Sequence, residues 1–121
     1  MKYEIKYDIK LESLYITIFA TLEEKDVHEL MADVEKLYVG KPRRYALIDL
    51  SEAKGDFLDK SARRAFKVYA PKMEQGKIAV VGVKPVTRIL IKAALVALGG
   101  SEMTRFFKKN DETLVWLKGE E

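Results

Sequence analysis

Residues 1–18 alternate hydrophobic and polar positions with a period of two. One face carries Tyr3, Ile5, Tyr7 and Ile9, and the other carries Lys2, Glu4, Lys6 and Asp8. After a polar break, the alternation returns at Leu14, Ile16 and Ile18. Because successive side chains of a strand point to opposite faces, this pattern predicts two adjacent antiparallel strands.

The hydrophobic period then changes to that of a helix, with apolar residues spaced three and four apart. These residues are Val27, Leu30, Met31, Val34, Leu37 and Tyr38. Thr21 and Glu24 have the spacing of a capping box, which satisfies the first free amides of a helix. Gly40 and Pro42 are typical of a helix end. We therefore predict a helix from about Thr21 to Val39.

Three strand–helix units follow. Strands are predicted near residues 45–50, 78–83 and 104–107, and helices are predicted to begin near Leu58, Pro85 and Asp111. Apolar runs between helices favour parallel strands covered on both faces. The predicted order is ββαβαβαβα, which is an α/β fold with a mixed sheet of about five strands and a leading antiparallel pair.

Composition limits the classes of protein that fit this pattern. The chain has 121 residues, of which 48% are hydrophobic and 34% charged, so we expect one folded domain over residues 1–121. The absence of cysteine excludes thiolate catalysis, disulfides and cysteine-bound metal. The opening MKYEIKYDIK lacks the continuous apolar stretch of a secretory signal, and charges interrupt residues 78–98 too often for a spanning helix. We expect a cytoplasmic protein.

Charge is distributed unevenly along the chain. Residues 41–109 hold 16 basic and 6 acidic side chains, a net charge of +10, whereas the segments on either side are net acidic. This block favours an anionic partner, although a solvated basic surface explains it equally well. No nucleic-acid-binding module matches the sequence, so we do not expect a nucleic acid partner.

Two predicted helices in this block carry the candidate binding surface. The helix from Leu58 has an inward apolar stripe and a basic outer face, whose role is either binding or solubility. On the helix from Pro85, apolar residues occupy the basic side as well as the opposite face. Three explanations stay open: packing under a neighbouring helix, a homodimer contact, or an interfacial surface that meets lipid headgroups and acyl chains. The candidate ligand- or membrane-binding residues are Arg63, Arg64, Lys67, Lys84, Arg88, Ile91, Lys92 and Leu95.

Catalytic chemistry has little support in the sequence. The single histidine, His28, lies one helical turn after Glu24, a spacing typical of a surface pair. Asp49, Asp56 and Asp59 cluster near the end of a predicted parallel strand, where they could bind magnesium or act as an acid and base. Aspartates in such places more often cap turns and helices. We expect no enzyme, no metal and no cofactor.

Several segments carry a family resemblance. They are YALIDLS (45–51), FLDKS (57–61), KIAVVG (77–82), TRFF (104–107) and TLVWL (113–117). Together they resemble the SpoIIAA-like, or STAS-domain, family over nearly the whole chain. The resemblance implies a compact STAS-type domain. The family includes anti-sigma-factor antagonists switched by serine phosphorylation, and SpoIIAA-like proteins suspected of membrane association or of binding small apolar ligands.

The resemblance also identifies a candidate phosphorylation site. The family's phosphorylated serine lies in a pattern similar to Asp-Ser-Ser-Gly-Leu at the start of a helix. The matching stretch here is DKSAR (59–63), which places Ser61 at the phosphoacceptor position. Lys60, Ala62 and Arg63 depart from the pattern.

We expect a non-catalytic binding domain that contacts an anionic membrane surface or carries a small apolar, lipid-like ligand between the helices from Leu58 and Pro85. The alternative hypothesis is an anti-sigma-factor-antagonist-type interaction switch, with phosphorylation at Ser61 and an anti-sigma-like kinase as its partner.

Overall fold

The computed structural model describes residues 2–53, 57–69, 76–82, 84, 89, 104–107 and 110–119. The strands are β1 (Tyr3–Asp8), β2 (Ser13–Ile18), β3 (Tyr45–Asp49), β4 (Ile78–Val81) and β5 (Thr104–Phe107). The helices are α1 (Glu24–Tyr38), α2 (Lys60–Tyr69) and α3 (Asn110–Lys118). Of the helix predicted from Pro85, only Ile89 lies among the described residues.

The five strands form one mixed sheet in the order β1-β2-β3-β4-β5. β1 and β2 are antiparallel, with Tyr3 opposite Ile18, and the remaining neighbours are parallel. The predicted α/β class, the leading antiparallel pair and the strand number are confirmed.

The larger hydrophobic core lies between one face of the sheet and helices α1 and α2. The sheet contributes Leu14, Ile16, Ile18, Ala46 and Val80. The helices contribute Val27, Leu30, Met31, Val34, Tyr38, Ala62 and Ala65. These residues include most of the positions that the period-two and helical patterns assigned to the interior.

A second cluster lies on the opposite face of the sheet, beneath α3. Trp116 and Leu117 of α3 pack with Leu47, Ala79 and Val81 of the central strands. Successive residues of β3 and β4 therefore pack alternately into the two cores on opposite faces of the sheet. This explains why those strands are continuously apolar in the sequence.

Some cations of the basic block, residues 41–109, are packed on aromatic rings at this second cluster. The Arg43 guanidinium lies 4.2 Å from the centre of the Tyr45 ring, and the Lys77 ammonium lies 5.1 Å from that of Trp116. Lys77 Nζ also donates to the Trp116 carbonyl at 2.9 Å. These cations stabilise the fold by cation–π contact and hydrogen bonding, so the net charge of the block overstates the surface available to an anionic partner.

Two glycines in the left-handed backbone region end elements of the fold. Gly40, with φ of 75°, follows α1, where the sequence predicted a glycine terminator. Gly82, with φ of 77°, follows β4 and lies against the turn after β3. A Cβ atom at position 82 would lie 2.7 Å from the backbone nitrogen of Ser51, whereas one at position 40 would meet nothing within 4 Å.

Candidate functional site

The amino-terminal ends of α1 and α2 lie side by side because the segments that precede them are hydrogen-bonded. The Leu22 N–H donates to the Phe57 carbonyl at 2.9 Å, and the Asp59 N–H donates to the Leu22 carbonyl at 3.0 Å. The Leu22 side chain is fully buried. This bridge between Leu22 and Leu58 places the free amides of two helices at one point on the surface.

The bridge also moves the start of α1. The capping box predicted at Thr21 and Glu24 is wrong by two residues, since α1 begins at Glu24 and the Glu23 N–H donates to Asp26 Oδ2 at 2.8 Å. The bridge holds Leu22 in an extended conformation, so the helix cannot begin earlier. Asp26 also accepts a hydrogen bond from Lys2 Nζ. This bond, with a smaller effect from the Glu23 N–H, holds the pKa of Asp26 below its ordinary value.

Asp59 caps α2. Its Oδ1 accepts the Ala62 N–H at 2.8 Å and the Ser61 hydroxyl at 2.7 Å. These two bonds hold the pKa of Asp59 below the value usual for a carboxyl group. Asp59 is therefore ionised at neutral pH and fixes the direction of the Ser61 hydroxyl.

Ser61 joins the two helices. Its Oγ donates to Asp59 at the start of α2 and accepts the Glu24 N–H, the first amide of α1, at 3.2 Å. The side chain is half-buried, so its oxygen lies at the surface of the junction and not in the core. Among the described residues, this hydroxyl is the one that bonds to both helix ends.

His28 and Tyr69 form a second contact between α1 and α2. His28 Nδ1 lies 2.6 Å from the Tyr69 hydroxyl, and His28 Nε2 lies 3.5 Å from Glu24 Oε1. The predicted surface pair between His28 and Glu24 is present. The contact with Tyr69 was not predicted, because it depends on the packing of two helices that are distant in sequence.

A shallow cavity of about 400 Å³ opens at the junction. It is lined by Glu23, Glu24, Lys25, His28, Asp59 and Ser61. Three of these side chains are carboxylates and one is a lysine, so their charges do not favour a free phosphate ion. The arrangement instead presents an oriented serine hydroxyl at the surface.

The predicted basic face of α2 is exposed beside this junction. Arg63, Arg64 and Lys67 are exposed, and within the described residues none of them forms an ion pair. Lys84 is also exposed. The other predicted binding residues, Arg88, Ile91, Lys92 and Leu95, lie outside the described part of the chain.

The aspartates that suggested a metal or acid–base site have structural roles. Asp49 Oδ1 accepts the Ser51 N–H at 2.9 Å and the Ser51 hydroxyl at 2.6 Å, while Asp59 caps α2. Asp56 lies outside the described residues. In the part of the chain that the structure describes, no group of histidine and carboxylate side chains is placed to hold a metal ion. None of the described helices is long and apolar enough to cross a bilayer.

Comparison with known proteins identifies the fold. No protein-family model matches the chain, and no curated protein matches its sequence. An uncharacterised protein of the DUF3478 family with a SpoIIAA-like fold, from Shewanella loihica PV-4, matches with a TM-score of 0.75 and 21% identity. The match covers 95% of this chain and 93% of that one. The architecture is therefore that of a mixed-sheet α/β domain of the SpoIIAA-like kind.

Two further structures agree with this assignment. An anti-sigma-factor antagonist (STAS) domain protein from Planctomyces limnophilus matches with a TM-score of 0.64 and 18% identity, over 95% of this chain and 96% of that one. The anti-sigma factor antagonist SpoIIAA in its unphosphorylated form matches with a TM-score of 0.65 and 13% identity, over 97% and 96%. The chain has the SpoIIAA-like fold of STAS domains, as its resemblance to that family implied.

Proposed function

We propose that the chain is a non-catalytic protein-interaction domain in which phosphorylation of Ser61 controls the binding of a protein partner. The observation that carries this proposal is the position of the Ser61 hydroxyl, which bonds to the starts of both α1 and α2. Two structural neighbours are described as anti-sigma-factor antagonists, which supports a protein partner. The partner class that we propose is an anti-sigma-like serine kinase.

The hydrogen bonds at Ser61 give phosphorylation a direct structural effect. A phosphorylated serine has no hydroxyl proton, so Ser61 could no longer donate to Asp59. The phosphate would add a charge of about −1.5 to −2 next to the ionised Asp59 carboxylate. Repulsion between the two anions would displace the Asp59 cap, although the free amides of the helix ends attract the phosphate. The surface formed by the two helix ends would change as a result.

Ser61→Asp tests this proposal by adding a negative charge at the junction. We expect the variant to lose at least about tenfold in affinity for the partner. The new carboxylate cannot donate a hydrogen bond to Asp59, and the two negative charges repel each other. Affinity would be measured by calorimetry with the partner that wild-type protein retains from a lysate of its host. Ser61→Ala removes the hydroxyl without adding charge and is expected to bind constitutively.

Ser51→Asp is the matched control, since the Ser51 hydroxyl donates to Asp49 at 2.6 Å in a similar local arrangement but lies outside the junction. The variant is expected to bind the partner as the wild type does. Equal binding by Ser61→Asp and Ser51→Asp would contradict a switch at Ser61. Equal loss in both would show that the effect does not depend on the junction.

A second candidate function is contact with an anionic membrane surface. The observation that favours it is the exposed basic face of α2, defined by Arg63, Arg64 and Lys67, which forms no ion pair with another described residue. Val68, one helical turn after Arg64, is 57% exposed. Basic and aliphatic side chains on one helix face suit a bilayer interface. The small apolar ligand predicted between α2 and the helix from Pro85 remains a prediction, because most of that helix lies outside the described residues.

Vesicle sedimentation tests the membrane candidate. We expect wild-type protein to sediment with phosphatidylserine-containing vesicles at low salt and to be released at high salt. Neutralising Arg63, Arg64 and Lys67 to Gln is expected to weaken this binding on the order of a hundredfold, at about 1 kcal/mol per cation. The control replaces Lys10, Lys36 and Lys41, which are exposed outside α2, with Gln. No sedimentation of the wild type, or equal loss in the two triple variants, would exclude this surface.

A further inference from the structure

β1 lies at the edge of the sheet and pairs only with β2 among the described strands. The Phe19 N–H donates to the Lys2 carbonyl at 2.8 Å, so the backbone groups of Lys2 point toward β2. In an antiparallel ladder this direction alternates along the strand. The N–H and carbonyl groups of Tyr3, Ile5 and Tyr7 therefore point away from β2 and pair with no other described strand.

The charged residues of β1, together with Lys2 just before it, alternate in sign along the chain. In chain order they are Lys2, Glu4, Lys6 and Asp8. If a second copy of β1 pairs in antiparallel orientation about Ile5, Glu4 faces Lys6 of the second copy. Lys2 lies opposite Asp8 of the second copy, but its Nζ already pairs with Asp26 at 2.8 Å within the chain, so the two Glu4–Lys6 pairs carry the complementarity. Every charged pair in this register joins opposite charges. The strand is therefore complementary to itself.

Neighbouring registers lack this complementarity. A shift that centres the pairing on Glu4 places Glu4 opposite Glu4 and Lys2 opposite Lys6. A shift that centres it on Lys6 places Lys6 opposite Lys6 and Glu4 opposite Asp8. Like charges directly opposite each other destabilise a strand pair, so the charge pattern disfavours these two registers. The registers about Tyr3 and Tyr7 also join opposite charges, but each forms two such pairs where the register about Ile5 forms four.

The other face of the pair would be apolar and aromatic. In the register about Ile5, the two Ile5 side chains meet, and Tyr3 lies opposite Tyr7 of the second copy. Ile5, Tyr3 and Tyr7 are only partly buried against the core of the single chain, so strand pairing would cover them further. About six backbone hydrogen bonds would form between the outward-facing groups.

We propose that two copies of this chain form a symmetric dimer by antiparallel pairing of their β1 strands about Ile5. The sheet would then be continuous across both copies. The contact is isologous, so it closes after two copies and leaves no β1 edge for further growth. This proposal rests on the edge strand alone and is independent of the role proposed for Ser61.

The main competitor for this edge is an extended basic peptide. Acidic side chains of α1 flank β1: Tyr3 Oη donates to Asp33 Oδ2 at 2.7 Å, and Glu29 lines the same groove. A lysine-rich strand would complement these acids. The alternating charges of β1 favour a second copy, because a peptide with only basic side chains would place like charges against Lys2 and Lys6.

Sedimentation velocity over a series of concentrations tests the dimer. Strand pairing buries less surface than an obligate dimer, so we expect a dissociation constant on the order of tens of micromolar. The mass should rise from 13.9 kDa toward twice that value with concentration. Lys6→Glu turns both Glu4–Lys6 pairs into like-charge pairs and is expected to weaken dimerisation about tenfold or more. Lys6 is exposed, so the variant should keep its fold, which far-UV circular dichroism checks.

The decisive variant exchanges both charges, Glu4→Lys with Lys6→Glu. It restores opposite charges at each pair and is expected to recover the dimer, which neither single substitution does. A wild-type mass that stays at 13.9 kDa up to about 1 mM would overturn the proposal. The proposal would also be overturned if Lys6→Glu dimerised as the wild type does, or if the double variant stayed monomeric. Binding of polylysine to a monomer at this edge would overturn it as well.

Discussion

Gly82→Ala is expected to lower the free energy of unfolding by about 3 kcal/mol. Two costs combine at this position. A residue with a Cβ pays about 1–2 kcal/mol to adopt the left-handed backbone that Gly82 adopts at φ of 77°. The added Cβ would also lie 2.6 Å from the Ser51 Cβ and 2.7 Å from its backbone nitrogen, and overpacking of this kind costs about 1–3 kcal/mol. Urea unfolding followed by circular dichroism measures the change.

Gly40→Ala separates the two costs. Gly40 has nearly the same φ, 75°, but a Cβ there would meet nothing within 4 Å. We expect this variant to lose only the backbone cost, about 1–2 kcal/mol. If Gly82→Ala and Gly40→Ala lower the free energy of unfolding equally, the close approach of position 82 to Ser51 adds no cost of its own. That result would contradict the overpacking argument.

Leu22→Ala is expected to lower the free energy of unfolding by about 3 kcal/mol, within the range for a buried leucine replaced by alanine. Leu22 is fully buried, and its backbone joins the segments before α1 and α2. The cavity should loosen the junction that holds Ser61. Hydrogen exchange of the Glu24 and Asp59 amides, measured by NMR, is therefore expected to accelerate more than the exchange of amides in β4.

Leu47→Ala provides the control. Leu47 is equally buried but belongs to the second cluster, beneath α3. We expect Leu47→Ala to lower the free energy of unfolding by a similar amount. Hydrogen exchange of the Glu24 and Asp59 amides should accelerate only as far as this loss of global stability predicts. If the two variants accelerate exchange at the junction equally, the Leu22–Leu58 bridge is not what positions Ser61.

The elements of this fold were predictable because their signals are local. Period-two alternation in β1 and β2 and three-and-four spacing in α1 follow from the geometry of each element alone. Gly40 ended α1 as predicted because one residue supplies the left-handed conformation that a helix terminator needs. The continuous apolar runs of β3 and β4 were sufficient to predict coverage on both faces.

The candidate site was less predictable because it is built from contacts between distant residues. Sequence placed Ser61 at a helix start through a family resemblance, but its bond with the Glu24 amide depends on the pairing of Leu22 with Leu58. The same pairing explains the error at Thr21, where a local capping pattern competed with a nonlocal bridge. Two leucines, each just before a helix, were the only signal of that bridge in the sequence.

The net charge of the basic block does not show which of its cations are exposed. A count of side chains cannot distinguish Arg43 and Lys77, which are packed on aromatic rings, from Arg63 and Arg64, which are exposed. For Lys77 this distinction depends on tertiary structure, because Trp116 lies 39 residues further along the chain. The surface available to an anionic partner is therefore narrower than the block and includes the outer face of α2.

The central claim is that Ser61 is a phosphoacceptor whose modification controls partner binding. Its most direct test is mass spectrometry of the protein isolated from its host, free and bound to its partner, with the phosphorylated residue located by fragmentation. We predict phosphate on Ser61 in the free protein and unmodified Ser61 in the complex. Ser61 unmodified in both fractions under all growth conditions, or equally phosphorylated in both, would contradict the account.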